Sequence, residues 1–326
     1  MTLSRRAFVA GASGLAAASA LPGRARAQTV LRYGNASNEQ AMTNQFIAAL
    51  GQELSDRTNG ALSIQMLLGM SSEQTIADSV PLGTLDMALT GYTGLPEFDV
   101  FYTPYLLDNI PHGVRVVQET SVGETAANAL RDRYSAHLMG VGSAGPFMLS
   151  TKEPVESWED LRGRKIRVPP FESYTAAVER LGAIPTPVPF NEVYLAVQQG
   201  VVDGLVTLVN VMVANRFLEV SPYVITNEFG VGLDKVYINE GVYQGLDPEL
   251  RQVLDDTYNE LAPTLMIERA ITQAERDLDI WRDENGADSV ITLDGDEIRT
   301  LMEPLGRELA EEVFGAGAFD IIRSVA

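Results

Sequence analysis

Residues 157–170 read S-W-E-D-L-R-G-R-K-I-R-V-P-P, and residues 179–204 read E-R-L-G-A-I-P-T-P-V-P-F-N-E-V-Y-L-A-V-Q-Q-G-V-V-D-G. The first run is a short capped helix feeding a strand. Ser157 is placed as an N-cap, Glu159 and Asp160 fall in the first turn, where acids suit the helix dipole, and Gly163 ends it. In the strand Lys165-Ile166-Arg167-Val168, alternation sends Ile166 and Val168 to the core and Lys165 and Arg167 to the opposite face. Pro169 and Pro170 cannot continue a ladder, so Arg167 stands at a strand end beside a rigid turn. A guanidinium held there offers a planar fork that matches a carboxylate. An ordinary surface arginine is the plainer alternative. In the second run Asn191 is a candidate N-cap for a helix to Gln199, with Gly200 past its end. Residues 201–209 then form a strand broken at Asp203-Gly204.

Upstream, the pattern alternates strand and helix: a strand over 30–34, a helix over 42–58, a strand over 62–67, a helix over 74–82 and a strand over 85–90. This is an α/β layer with a mainly parallel sheet, in which ligands bind beyond the carboxyl ends of the strands. The loops Asn35–Glu39, Gly69–Glu73 and Gly91–Leu95 are therefore the expected pocket wall, with Asn35, Glu39, Ser72 and Thr93 as its polar candidates. A helix is expected over 111–134 and a strand over about 137–141. Gly140, Gly142 and Gly145 spell G-x-G-x-x-G after that strand, but residues 146–150 continue extended instead of opening a helix. The dinucleotide fingerprint is rejected, and the glycines are read as a crossing between domains where backbone approaches closely.

Downstream, a helix spans 174–181, a helix ends near 217–223 and a strand follows at about 232–238. Asp247-Pro248-Glu249 is a strong helix start, and helical spacing persists to about Asn285 with a kink expected at Pro263. A helix that long should bridge two lobes. A strand over 290–293 and an amphipathic helix over 295–314 complete the reading.

The chain has 326 residues, enough for two domains with their own cores. Its N-terminus carries Ser4-Arg5-Arg6-Ala7-Phe8-Val9, an Ala/Gly-rich apolar stretch and an A-x-A site at Ala25-Arg26-Ala27. Residues 1–27 are thus expected to be a twin-arginine-type signal peptide and the location the periplasm, with the Sec route open. Absence of cysteine excludes disulfides and thiolate chemistry. Residues 1–27 hold four Arg and no acid, so the formal charge of −20 becomes −24 without them. That balance argues against nucleic acid and anionic lipid as partners, and nothing after the N-terminus resembles a membrane span. An anionic ligand would need a local positive site.

Catalysis has little to stand on. Of two histidines, His137 lies in an apolar strand, where a core role is the plainer reading, and His112 is expected to be exposed at a helix start. No metal-ligand spacing, P-loop or G-x-S-x-G occurs, and no metal or cofactor is expected.

The L-R-G-R-K-I-R-V-P and V-P-F-N-E-V-Y…Q-Q-G-V-V-D-G runs resemble the periplasmic solute-binding subunits of TRAP transporters, the DctP-type family. So do F-L-E-V at 217–220, L-G-M-S-S-E…P-L-G-T-L-D-M-A at 68–88 and L-P-E-F-D-V-F-Y-T-P-Y-L-L at 95–107. The resemblance implies two α/β domains of periplasmic-binding-protein type with a ligand cleft between them and a long kinked helix across both. Residues 28–144 with about 233–270 would form one domain, and residues 145–232 with about 271–326 the other. It implies capture of a small organic acid by hinge closure and delivery to the TRAP membrane permease subunits. A sensing role for a receptor or kinase is the alternative, and an enzyme on the same fold a remoter one. By the same resemblance Arg167 clamps the ligand carboxylate and Phe190 packs on the ligand, though Phe190 also reads as plain core. Three departures matter: Phe147 stands where many members have a second Arg, and Val206 and Thr207 where many have Glu and Asn. Asn210 could restore a donor or serve as a cap. These changes point to a ligand less polar than a sialic or uronic acid.

Overall fold

The computed structural model describes residues 28–70 and 72–326; the expected signal peptide lies outside these residues. Eleven strands are named in chain order: β1 Thr29–Asn35, β2 Leu62–Leu68, β3 Met87–Thr90, β4 Ala136–Gly142, β5 Phe147–Thr151, β6 Lys165–Val168, β7 Ile184–Pro187, β8 Gly204–Leu208, β9 Tyr223–Ile225, β10 Asp234–Asn239 and β11 Val290–Ile291. They form two sheets, ordered β2-β1-β3-β10-β4 and β11-β9-β5-β8-β6-β7. In the first sheet β1 runs parallel to β2 and β3, as alternating strand and helix require. β10 enters that sheet only after the chain has built five strands of the other, and it pairs antiparallel with both β3 and β4. The sheet is therefore mixed where a mainly parallel one was expected. In the second sheet β6 lies parallel between β7 and β8, and β5 is antiparallel to β8 and β9.

The long helix starts at Pro248, with the Asp247 side chain accepting from Glu249 N at 3.0 Å. Its first part, Pro248–Ala262, buries Leu250, Leu254 and Tyr258 against the first sheet. At Pro263 the missing N–H and the ring's clash with the preceding turn are absorbed by a π-helical turn, Pro263–Glu268. The helix continues over Arg269–Asn285 and buries Trp281 among Val193, Val197, Met212 and Phe217 of the second lobe. One helix thus contributes to both cores. β4 has glycines where this helix crosses: a Cβ on Gly140 would stand 2.6 Å from the Tyr258 hydroxyl, and one on Gly142 would stand 2.5 Å from Met266 Cε. Close backbone approach, not phosphate binding, accounts for them.

Three other expectations change. The helix expected over 111–134 is two, Ile110–Glu119 and Ser121–Tyr134. Thr120 adopts an extended conformation between them and caps the second, accepting from Gly123 N at 3.2 Å. Asn191 caps nothing and sits inside a 3-10 turn, Phe190–Glu192, that leads into the helix Val193–Gln198. His112 is fully buried, its Nε2 2.8 Å from the Ile322 carbonyl, because a further helix, Ala318–Arg323, covers it. His137 is half-buried and stacks on Tyr243 with ring centroids 3.8 Å apart. The helix Gly295–Phe314 starts against the second sheet through Ile298, Met302 and Leu305. Ala310, Phe319 and Ile322, grouped by sequence with the second domain, pack into the core of the first sheet.

Where β10 passes between β3 and β4 it carries a fully buried lysine. Lys235 Nζ donates to the Gly91 carbonyl and lies 5.2 Å and 5.3 Å from the Phe98 and Tyr102 ring centroids. Tyr102 Oη lies 2.9 Å from Gly91 O and 2.8 Å from Leu233 O, sharing one proton between two carbonyls. Burial pushes the Lys235 ammonium's pKa down, opposed by Asp99, Asp234 and Glu73. Burial, reinforced by Glu73, lifts Asp234 to about 7 against the pull of Lys235, and burial lifts Asp99 to about 6.

Two predictions follow from this packing. Gly140→Ala forces a methyl into the Tyr258 ring and should cost about 1–3 kcal/mol. Gly245→Ala, in open space at the end of the helix Glu240–Gly245, should cost nothing measurable. Denaturant titration of both variants decides it, and equal losses would contradict the close approach. The second concerns pH. A carboxyl whose folded pKa exceeds the unfolded value of about 3.9 gives stability that is full below about 3.9 and lost as pH climbs through its folded pKa. For Asp99 and Asp234 that window runs from about 4 to about 7. Asp234→Asn should therefore gain on the native chain as pH rises through this window, by up to about 1.4 kcal/mol per pH unit. Thermal midpoints across the window that differ by a constant amount would refute it.

Candidate functional site

Arg167 is positioned by the turns on either side of β6. Ser157 caps the 3-10 turn Trp158–Leu161 in a capping box, with Asp160 Oδ2 accepting from Ser157 N at 3.0 Å and Glu156 N at 2.8 Å. Asp203 Oδ2 accepts from Lys165 N at 2.8 Å, which ties the V-V-D-G turn to the start of the strand. Ile166 and Val168 enter the hydrophobic core and Lys165 is exposed. Arg167 points to the other face from Ile166 and Val168, yet it is only 3% exposed. Its Nε donates to Val188 O and its Nη1 to Val206 O, each at 3.2 Å. Both acceptors are neutral, and no ion pair to Arg167 exists among the described residues. Burial lowers its pKa to about 10, so it remains charged at neutral pH. Val188 and Val206 each lie two residues before a residue of the cleft wall, Phe190 and Leu208. Arg164, by contrast, is only half-buried and donates to the carbonyls of Glu153 and Pro154.

The cleft is a cavity of about 930 Å³ between the two sheets' loops. Asn35, Ser37, Asn38, Gly69 and Glu73 line it from the ends of β1 and β2, and Phe190, Leu208 and Asn210 from the second lobe. Ala144 and Asp234 lie where the chain crosses, and Arg269, Gln273 and Asp277 line it from one face of the long helix. Phe190 presents a ring that is 47% exposed, braced by Phe217 at 5.9 Å between centroids. Asn210 sits in the first turn of the helix Val209–Ala214; its Oδ1 accepts from Val211 N at 2.8 Å. Asn35 is committed internally, donating to Tyr33 Oη at 2.9 Å and Leu89 O at 3.0 Å while accepting from Ser37 N at 2.8 Å. It shapes the loop. Arg269 donates to Gln45 on the helix Met42–Arg57, linking the long helix to the first lobe.

Phe190, Asn210 and Asn35 thus meet in one cavity, with Arg167 behind its second-lobe wall. The remaining candidates stand elsewhere. Phe147 is buried among rings, 4.9 Å from Tyr174 and 5.8 Å from Tyr102. Thr207 is buried in β8 opposite Met148. Glu39 borders a neighbouring depression with Asn44 and Met66. Ser72 caps the helix Glu73–Ser79, accepting from Thr75 N at 3.1 Å. Thr93 is fully buried, its carbonyl accepting from Tyr134 Oη at 2.5 Å. Sequence reasoning placed Glu73 in an expected wall loop without naming it as a candidate, though it accepts from Tyr92 N at 2.8 Å, and it missed the Arg269–Gln273–Asp277 stripe. The stripe's spacing of four residues was visible; which side faced the cleft was not.

Residues 33–312 match the family described as bacterial extracellular solute-binding protein, family 7, DctP. A solute-binding protein of Roseobacter denitrificans is 29% identical over 202 residues, 60% of this chain and 62% of the relative, so the match spans about three fifths of that relative's length. The 2,3-diketo-L-gulonate-binding periplasmic protein of Escherichia coli is 27% identical over 232 residues, 69% of this chain and 70% of the relative. A solved TRAP periplasmic solute-binding protein from Desulfovibrio salexigens, with bound orotic acid, matches with a TM-score of 0.79 at 21% identity, covering 91% of this chain and 97% of that one. That likeness shows the fold: two mixed α/β lobes and the long helix from Pro248 to Asn285. Among the described residues no helix is long and apolar enough to cross a membrane. The chain belongs to the DctP-type family of bacterial extracellular solute-binding proteins, a family and fold of solute-binding proteins and not of enzymes.

Proposed function

We propose that this chain is the periplasmic solute-binding subunit of a TRAP transporter, exported by the twin-arginine route, which captures a small organic acid and delivers it to the membrane permease. The observation that carries the reading is Arg167: a buried guanidinium with two neutral acceptors and no counter-ion among the described residues, at a strand end behind the cleft wall. A ligand carboxylate would supply the missing charge, and a bidentate pair replaces lost hydration for both groups. Phe190 would pack on the ligand and Asn210 donate to it. The relatives named for 2,3-diketo-L-gulonate and orotic acid bind small acids, which supports the same class here. Phe147 adds no second cation, which favours one carboxylate over two. We further propose that the lobes, residues 28–144 with about 233–270 and residues 145–232 with about 271–326, close about the crossings and the π-helical turn.

Small monocarboxylates should raise the thermal midpoint of the native chain, and the matching amides should not; at 100 times Kd the gain is about 2.7 kcal/mol. Arg167→Ala should cost roughly 2–5 kcal/mol of binding, or about 30-fold to several-thousand-fold in Kd. Arg167→Lys should rescue poorly, because an ammonium keeps the charge without the fork. Arg164→Ala should change little. Calorimetry that finds Arg167→Ala binding within about threefold of the native chain sinks the assignment.

A further inference from the structure

Arg167 is not the only buried charge of this site without a counter-ion. Asp277 lines the cavity from the long helix and is 3% exposed. Its Oδ1 accepts from Gln273 Nε2 at 2.9 Å, one turn back, while its Oδ2 has no hydrogen-bond partner among the described residues. No cation opposes the burial that raises its pKa; only the Gln273 hydrogen bond does. Arg269, two turns away on the same face, is engaged with Gln45. The other two acids of the cavity are occupied: Glu73 accepts from Tyr92 N, and Asp234 has the Lys235 ammonium beside it. Asp277 has neither.

A buried carboxylate with one bare oxygen is costly, and removing it from water is repaid only by a partner that brings both charge and hydrogen bonds. Two unpaired groups of opposite sign thus border the cleft: Arg167 on β6, behind the second-lobe wall, and Asp277 on the helix that crosses both lobes. We propose that the ligand carries a positively charged nitrogen as well as a carboxylate, with the carboxylate at Arg167 and the nitrogen at Asp277, so that the cleft selects amino acids or betaines. This rests on the carboxylate reading of Arg167 given above. A dicarboxylate would bring a second anion to a wall already holding Glu73, Asp234 and Asp277. A plain aliphatic tail would leave Asp277 Oδ2 bare.

The test is calorimetry on the full mature chain with matched probes: 4-aminobutanoate, 5-aminopentanoate, 6-aminohexanoate, proline and glycine betaine. Against them stand pentanoate, 5-hydroxypentanoate and glutarate. The best zwitterion should bind at least about tenfold tighter than the plain, hydroxy and dicarboxylic acids. Asp277→Asn keeps the shape and the Gln273 contact, and should collapse that ratio to within about threefold. Asp277→Ser serves the same purpose if the amide variant does not fold. Arg164→Ala should preserve the ratio, and Arg167→Ala should abolish binding of every acid. Hydroxy or plain acids binding as tightly as the amino acids would overturn this inference and leave the carboxylate reading standing. So would an Asp277→Asn chain that keeps the full preference. No binding of any carboxylate would overturn the carboxylate reading, and this inference with it.

Discussion

A guanidinium buried without a counter-ion is the constraint on which the second lobe depends. Arg167 can be held there only because β6 lies between β7 and β8, where the carbonyls of Val188, one residue past β7, and Val206, within β8, reach its Nε and Nη1. The rest of the 157–204 stretch serves that placement. The capping box fixes the approach, Asp203 anchors Lys165, and the two prolines within β7, Pro185 and Pro187, keep that edge from accepting another strand. Carbonyl acceptors lower the cost of the buried charge without neutralising it.

The first lobe answers with a different arrangement. Its buried cation, Lys235, is surrounded by Asp99, Asp234 and Glu73 and by two aromatic faces, so that charge is internally matched. β10 can carry it because it returns from the other lobe into the centre of the sheet, with a neighbour on each side. The strand that crosses between lobes is thus also the strand whose side chains form part of the cavity floor, through Asp234. The long helix makes a second such link: Leu254 and Tyr258 lie in one core, Trp281 in the other, and Arg269 to Asp277 face the cleft between them.

Much of this was legible locally. Alternation and two prolines placed Arg167 at a strand end, and Asp247-Pro248 marked the long helix, because caps and proline act within a few residues. What escaped were contacts made by distant segments. His112 reads as exposed until a helix from the far end of the chain covers it. Thr120 splits a helix by a single side-chain cap inside a pattern that otherwise continues. Asn35 and Gly69, from two of the loops expected as the pocket wall, line the cavity, but loops do not fix side-chain direction: Glu73 lines the cavity where Ser72, one residue earlier, caps a helix. Helix periodicity likewise shows that Arg269, Gln273 and Asp277 share a face, and only the packing of Trp281 fixes where that face points.

The global charge of −24 after residue 27 makes the local arrangement decisive. Surface acids more than about 8 Å away are largely screened at physiological salt. Inside the cleft that screening fails, so each unpaired group there discriminates strongly. Had an internal Asp or Glu paired with Arg167, a ligand carboxylate would have had to displace it and leave an uncompensated anion behind. Neutral carbonyls carry no such cost. They can keep one or both contacts while an anion approaches the remaining Nη2, or release them to water at little expense. The same logic applies to Asp277, held by one amide and no cation. A site built from two half-satisfied ions is stable enough to fold, and each ion is left with its strongest possible interaction still unmade. In the proposed function, the ligand that makes both is the one the cleft prefers, since any other leaves at least one of them bare.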